Sequence, residues 1–293
     1  MNWRRWIEQA NSTRCWAANP VTRIAVLQMT TGIDPRANAD VIIRAVADAK
    51  AGGAEMLFTP EMSGLLDRDR TRAAASIFAE DADPVLAAVR EAAAREGLVV
   101  ALGSLAIRRE DGRLANRSFV IDAGGAITAR YDKMHMFDVQ LASGENWRES
   151  AAYAPGEAVV AAQMPLGLLG LAVCYDIRFP ALFEALGRLA CDAIAIPAAF
   201  TVPTGKAHWH LLQRARAVEA SAYVIAAAQV GEHADGRRTY GHSLVIDPWG
   251  EVLLDLGGDA PGLGFAEIDQ ARTAEIRNQL PSLANRRDLP TRA

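Results

Sequence analysis

Short apolar runs recur along the chain at residues 23–29, 55–59, 98–105, 117–122, 126–131, 168–174, 192–197, 223–229, 243–247, 251–255 and 264–268. Their length and their bounding Gly, Pro and Asp residues predict strands. Other stretches predict helices. Residues 37–51 are closed by Gly52-Gly53, a pair expected to supply the left-handed conformation of a helix C-terminus. Residues 83–96 open on Asp83 before Pro84, an N-cap followed by a proline at the first helical position, and end at Gly97. Residues 180–189 and 206–220 predict two further helices. Asp111-Gly112, Gly124-Gly125 and Pro248-Trp249-Gly250 read as turns between antiparallel strands. Strand–helix alternation mixed with hairpins points to a layered α/β domain with mixed sheets, not a purely parallel doubly wound fold. No repeat, low-complexity tract or linker interrupts the pattern. Residues 21–293 therefore read as a single domain, and residues 1–20, with Trp3, Trp6, Trp16, Arg4, Arg5 and Arg14, as an N-terminal extension.

Composition narrows the possibilities. Hydrophobic residues make up 51% of the 293-residue chain, enough for one large core. The net charge of −4 is spread without a basic stripe, so no nucleic-acid partner is expected. No apolar run is long enough to span a bilayer, so neither is a membrane partner. Cys15, Cys174 and Cys191 are too few for a disulfide framework, and no two are spaced as a zinc pair. The first twenty residues lack the apolar stretch of a secretory signal. A reducing, cytoplasmic location is the resulting expectation.

Chemistry concentrates where three strands give way to loops. The run Leu57-Phe58-Thr59-Pro60-Glu61 delivers a carboxylate just past a proline. Half-buried at a strand end, Glu61 would have its pKa raised toward neutrality and could act as a general base; on the surface it would be a solvated loop residue. Lys133 lies among Tyr131, Met134, Met136 and Phe137. In a dry pocket its ammonium would stabilise an oxyanion, and on the surface its stem would simply lie on those side chains. Cys174 ends the run 168–174, and a helix opens at Pro180. A thiol there is either a core residue or a nucleophile on a strand-to-helix elbow with backbone N–H groups beside it.

Separately these signals are weak, but together they resemble one family. A Pro-Glu after a strand, Tyr131-Asp132-Lys133-Met134-His135-Met136-Phe137-Asp138 and Cys174-Tyr175-Asp176-Ile177-Arg178-Phe179-Pro180, in this order, look like the carbon–nitrogen hydrolases of the nitrilase superfamily. The resemblance runs from about residue 23 to residue 287 and takes in Ala207-His208-Trp209, Arg214 to Glu219, and Tyr240-Gly241-His242-Ser243 with Asp247-Pro248-Trp249-Gly250. It implies a four-layer α-β-β-α sandwich that dimerises through helices near the nucleophile, the C-terminal tail crossing to the partner. It also implies that Glu61 is the general base, that Lys133 and the Tyr175 N–H stabilise the oxyanion, and that Cys174 forms a thioester. A second glutamate would orient Lys133; Glu149 and Glu145 both fit, and Glu149 is preferred. Independently, no histidine accompanies Cys174 in a Cys–His protease pattern, which leaves the base role to a carboxylate.

The branch resembled is that of deaminated-glutathione amidases and omega-amidases. The Tyr240-Gly241-His242-Ser243 segment and the tail Leu280-Pro281 to Asn285-Arg286-Arg287 lean toward the former. The implied partner is a small-molecule amide: a 2-oxo acid amide such as deaminated glutathione, with 2-oxoglutaramate as the alternative. Arg178 is a candidate carboxylate clamp, or else a structural partner of Asp176 or Glu184. Nitrile or N-carbamoyl hydrolysis in the same fold, and a non-catalytic scaffold, remain competing readings. His208 and His210, two apart on a helix, face different sides and cannot together hold one ion. His135 and His242 read as hydrogen-bonded structural residues. Neither a metal nor a cofactor is implied.

Overall fold

The computed structural model describes residues 21–287, apart from 141–143 and 145. The proposed extension at residues 1–20 and the alternative Glu145 lie outside the described residues. The chain forms two six-stranded mixed sheets. The first holds β1 (Val21–Gln28), β2 (Met56–Phe58), β3 (Val99–Arg108), β4 (Leu114–Ile121), β5 (Ile127–Asp132) and, beside β1, β16 (Gly262–Asp269). Two short strands, β6 (Asp138–Gln140) and β7 (Asn146–Arg148), pair by themselves. The second sheet holds β8 (Ala161–Met164), β9 (Gly167–Leu171), β10 (Ala193–Ala195), β11 (Tyr223–Ala226), β14 (Leu244–Ile246) and β15 (Val252–Asp255). Between β11 and β14 lies the pair β12 (Val230–Glu232) and β13 (Arg238–Tyr240). In each sheet the three central strands run parallel, β1-β2-β3 and β9-β10-β11, with antiparallel neighbours outside them.

Helices cover both outer faces: α1 (Pro35–Ala51), α2 (Arg70–Ala74) and α3 (Pro84–Glu96) come from the first half of the chain, and α4 (Pro180–Arg188), α5 (Val202–Ala220) and α6 (Gln270–Gln279) from the second. Strand periodicity explains the layering. Ala25, Leu57 and Val100 point outward to Ile42 and Val46 of α1 and Val89 of α3. Their neighbours Ile24, Val26, Met56, Phe58 and Val99 point inward, where they meet Leu169, Leu171, Ala195 and Ile225 of the second sheet. Leu182 and Phe183 of α4 and Trp209 and Ala217 of α5 cap the far side. The result is the four-layer α-β-β-α sandwich. Strands buried on both faces have no polar side, which is why they read as continuous apolar runs.

Some boundaries move. The run 168–174 leaves the sheet after Leu171, and the helix expected over 206–220 begins at Val202, with proline in its first turn. The left-handed residue after α1 is Gly53, φ 79°, whereas Gly52 has φ −77°. The expected cap at Asp83 is present: its side chain accepts from Leu86 N–H, and Gly97 ends α3 in the left-handed conformation. Strands β6, β7, β12 and β13 are too short to show a period, and α6 buries only Thr273 and Ile276, so neither announces itself in sequence.

Candidate active site

Glu61 follows β2 on a loop fastened to a break in β3. The β3–β4 register shifts between Leu102 and Leu105. The backbone freed there holds the loop: Gly103 N–H donates to Thr59 Oγ1 at 2.9 Å, Met62 N–H to Ser104 Oγ at 2.9 Å, and Ser63 N–H to Ser104 O at 3.0 Å. Met62 takes a positive φ of 57° in turning the chain. Glu61 is left buried, 5% exposed, with its carboxylate aimed at the junction of the two sheets.

Lys133 leaves β5 where its N–H donates to Asn116 O at 2.9 Å and its carbonyl accepts from Gly156 N–H at 2.8 Å. Its Nζ stands 3.0 Å from Glu61 Oε1 and 2.8 Å from Glu149 Oε2. Glu149 is held in turn by the Phe137 N–H, at 2.6 Å. Glu149, the preferred alternative for the second glutamate, contacts Lys133, while Glu145 lies outside the described residues. Asn116, from β4, donates to both carboxylates, at 2.9 Å to Glu61 and 3.2 Å to Glu149.

Cys174 comes from the other sheet. Past β9 the chain enters a 3-10 turn, Cys174–Arg178, and Cys174 itself has φ 46°, a conformation a side chain rarely adopts. Its N–H is tied to Pro197 O at 2.9 Å. Asp176, fully buried, anchors the turn: it accepts from Val173 N–H at 2.9 Å, Tyr131 Oη at 2.7 Å and His135 N–H at 3.0 Å. This ties the elbow to the segment that carries Lys133. The loop after β10 closes the ring, where Ala199 N–H donates to Glu61 Oε2 at 2.9 Å. Asn116, Asp176 and Ala199 are site components that the sequence reading missed.

The charges are distributed unequally. Burial by itself would raise the Glu61 pKa, but the Lys133 ammonium and hydrogen bonds from Cys174, Lys133 and Asn116 outweigh it and hold the carboxyl below its ordinary value. The expected shift toward neutrality is therefore reversed, because Glu61 is not half-buried and alone but fully buried beside a cation. Burial opposes the Lys133 charge, yet Glu149 and Glu61 keep it protonated well above the usual range. Burial pushes the Cys174 thiol well up, with the Glu61 charge adding to the effect and Lys133 opposing it. At rest the site thus holds a thiol, an ammonium and two glutamates, Glu61 being ionised.

Tyr175 is the second residue of the 3-10 turn, where a backbone N–H lacks an intrahelical acceptor. Arg178, half-buried, lies over the Tyr175 and Phe200 rings, 5.9 and 5.4 Å from their centroids, with His208 Nδ1 3.4 Å from its guanidinium. Its suggested structural partners are engaged elsewhere: Asp176 as above, and Glu184 with Arg188 at 2.8 Å. His135 takes the structural place expected of it, stacked on Phe179 and 2.7 Å from Asp176.

The Carbon-nitrogen hydrolase family model matches residues 23–278. The chain is 38% identical to a deaminated glutathione amidase from Yersinia enterocolitica, over 90% of this chain and 92% of that one. It superimposes on the NitFhit protein of C. elegans with a TM-score of 0.84 at 33% identity, covering 92% of this chain and 66% of that longer one. It also superimposes on a mutant of the amidase from Nesterenkonia sp. AN1, with a TM-score of 0.76 at 28% identity, covering 91% and 94%. The active-site cysteine of that amidase carries the acetamide moiety of fluoroacetamide.

Proposed function

Because this chain belongs to the carbon–nitrogen hydrolase family, we propose that it cleaves the amide of a small carboxylate-bearing 2-oxo acid through a thioester on Cys174. The observation that carries this reading is the Glu61–Lys133–Glu149 chain of contacts, 3.0 and 2.8 Å long, gathered against the Cys174 thiol. As Cys174 Sγ attacks the amide carbon, its proton passes to Glu61. The carbonyl oxygen, now an anion, is met by Lys133 Nζ and the Tyr175 N–H. Collapse breaks the C–N bond, and Glu61 returns the proton to the departing ammonia or amine. Water, deprotonated by Glu61, then cleaves the thioester to a carboxylate and the free thiol. Glu149 and Asn116 act as positioning residues, holding the ammonium where the oxyanion forms.

Deaminated glutathione is placed ahead of 2-oxoglutaramate on the likeness to deaminated glutathione amidases. Arg178, half-buried and engaged with no carboxylate among the described residues, supports a role in gripping the substrate carboxylate. The same chemistry requires a reduced Cys174, which favours a reducing compartment, the cytoplasm. A homodimer is supported by the exposed Leu211 and Val218 of α5 and Trp249 beside them, and residues 21–293 as one hydrolase domain by a single family match spanning residues 23–278.

The decisive test is a substrate panel read by ammonia and carboxylate release, with mass spectrometry of the intact protein. Wild type should hydrolyse 2-oxo acid amides far faster than nitriles or carbamoyl compounds and show a transient acyl adduct on Cys174. Cys174→Ala should lose activity by at least ~10³-fold with its fold intact. Residual activity within about tenfold of wild type would sink the thioester route. Faster turnover of a simple nitrile would overturn the substrate class alone.

A further inference from the structure

Away from the active site, α5 and the edge of the second sheet bring two imidazoles and a carboxylate together. His210 lies on α5, His242 in the link between β13 and β14, and Asp255 at the end of β15. Their donor atoms all lie within 4.8 Å of one another. His210 Nε2 is 3.0 Å from Asp255 Oδ2, and His242 Nδ1 is 2.9 Å from Oδ1 and 3.1 Å from Oδ2. With zinc–nitrogen and zinc–oxygen bonds of about 2.0–2.2 Å, neighbouring corners of a tetrahedron stand about 3.3 Å apart. The histidine–aspartate spacings are already close to that.

We propose that His210, His242 and Asp255 form a site for a divalent transition-metal ion of the Zn2+ type, three protein ligands leaving the fourth position to water. Two imidazoles and one carboxylate suit Zn2+, Ni2+ or Cu2+, whereas Mg2+ and Ca2+ favour oxygen alone. The ligands are held in place from behind. His242 N–H donates to Gly257 O at 2.7 Å, and its carbonyl accepts from Trp209 Nε1 at 2.7 Å. The His242 ring stacks on Tyr240 at 4.5 Å, and Asp255 Oδ1 accepts from Gly257 N–H at 2.8 Å. Outer contacts of this kind fix ligand orientation and sharpen affinity. On binding, each imidazole offers the lone pair of the nitrogen facing Asp255 to the ion and, as a neutral ring, carries its proton on the other nitrogen, any imidazolium proton passing to solvent. The bound ion then ties α5 to β15. Spacing along the chain hides this cluster, since the three residues come from separate elements and the visible pair, His208 and His210, faces two ways.

The test uses the full chain, freed of metal by a chelator, in a Cys174→Ala background so that the active-site thiol cannot take the ion. Calorimetric titration with Zn2+ should show one equivalent bound per chain, and Co2+ should give the visible bands of a tetrahedral site. Adding His210→Gln or Asp255→Asn should weaken binding by at least about tenfold. Saturating Zn2+ should raise the melting temperature of the Cys174→Ala protein and leave both added variants unmoved. In the wild-type background, metal-free His210→Gln should keep full amidase activity, which reports an intact fold. A reading that needs no further variant is the imidazole ¹⁵N spectrum of the Cys174→Ala chain, where two side chains should shift with Zn2+. No binding in that chain, unchanged affinity in both added variants, or no shifted imidazole would each reduce the cluster to a hydrogen-bonded His–Asp–His group and overturn the proposal.

Discussion

Glu61 Oε1 accepts from Lys133 Nζ at 3.0 Å and Asn116 Nδ2 at 2.9 Å, and Oε2 from Ala199 N–H at 2.9 Å, so this carboxylate is solvated by the protein in place of water. The sign of the resulting pH dependence follows. Glu61 is needed ionised, and its folded pKa is depressed below the ordinary 4.5, so the competent form is lost only as pH falls through that lowered value. Lys133 and Cys174 are both shifted upward, so ammonium and thiol persist through mild alkali. kcat/KM should therefore be flat from about pH 5 to about pH 9; an acid limb near neutrality would mean a different base. Arg178 offers a second check at this scale. A lysine cannot reproduce the planar fork of a guanidinium. Arg178→Lys should raise KM for carboxylate-bearing amides by about tenfold, with kcat less affected and neutral amides spared. Equal losses on both classes would assign Arg178 to structure. Glu61, Lys133 and Cys174 stood out in the sequence because their runs, each weak alone, together and in order resemble one family's pattern. Asn116 was not, because a single polar residue in a strand is ordinary until the fold turns it toward two carboxylates.

Among the elements, the break in β3 matters most to the site, since its freed backbone groups hold the loop that carries Glu61. Gly103 permits the close approach: a Cβ there would lie 2.0 Å from Thr59 O and 2.3 Å from Pro60 O, both backbone atoms that cannot swing aside. Ser118 Oγ donates to the carbonyl of Gly103 from the other side, so the strand cannot retreat freely. Gly103→Ala should cost about 1–3 kcal/mol of stability in denaturant unfolding. It should also lower kcat about 100-fold, because a displacement of the order of 1 Å at Glu61 spoils proton transfer. Gly262→Ala, with open space around it and no positive φ, is the control and should change neither. If the two substitutions behave alike, the break is not what sets the position of Glu61. At this scale the sequence was most legible where capping and periodicity act locally, as at Asp83, Pro84 and Gly97 of α3. It failed where pairing is long-range: nothing local announces that β3 breaks register, or that residues after β10 will donate to a glutamate after β2.

For the whole molecule, a layered α/β domain with mixed sheets was anticipated from alternating strand and helix patterns with hairpins, and the four-layer sandwich from the family resemblance, but which surface remains apolar only the folded chain reveals. Leu211 and Val218, seven residues apart on α5, are 67% and 42% exposed, and Trp249, Val252 and Leu253 are 53%, 38% and 45% exposed. The turn and the helix belong to one face, since a Cβ on Gly250 would stand 3.0 Å from Val218 Cγ2. Large side chains clustered in water are costly to a lone chain, and they mark a surface made to be covered. Among the described residues, the C-terminal segment reaches only the end of α5 beyond Leu211: Leu283 packs toward Gly187, and Arg286 donates to Glu184 O and Glu219 O. The proposed homodimer would supply a second copy of the chain as the occupant, since a two-fold pair brings the same patch of both subunits together. α5 also carries Arg216, whose Nε donates to Ile177 O at 2.8 Å inside the nucleophile turn, so the covered face and the catalytic elbow share one helix. Light scattering should find a dimer for wild type and a monomer for Leu211→Asp combined with Val218→Asp. The monomer should remain folded by circular dichroism but lose amidase activity in proportion to the loosening of α5. A dimer persisting in the double variant would place the interface elsewhere, and a fully active monomer would show that the elbow needs no support from a second chain.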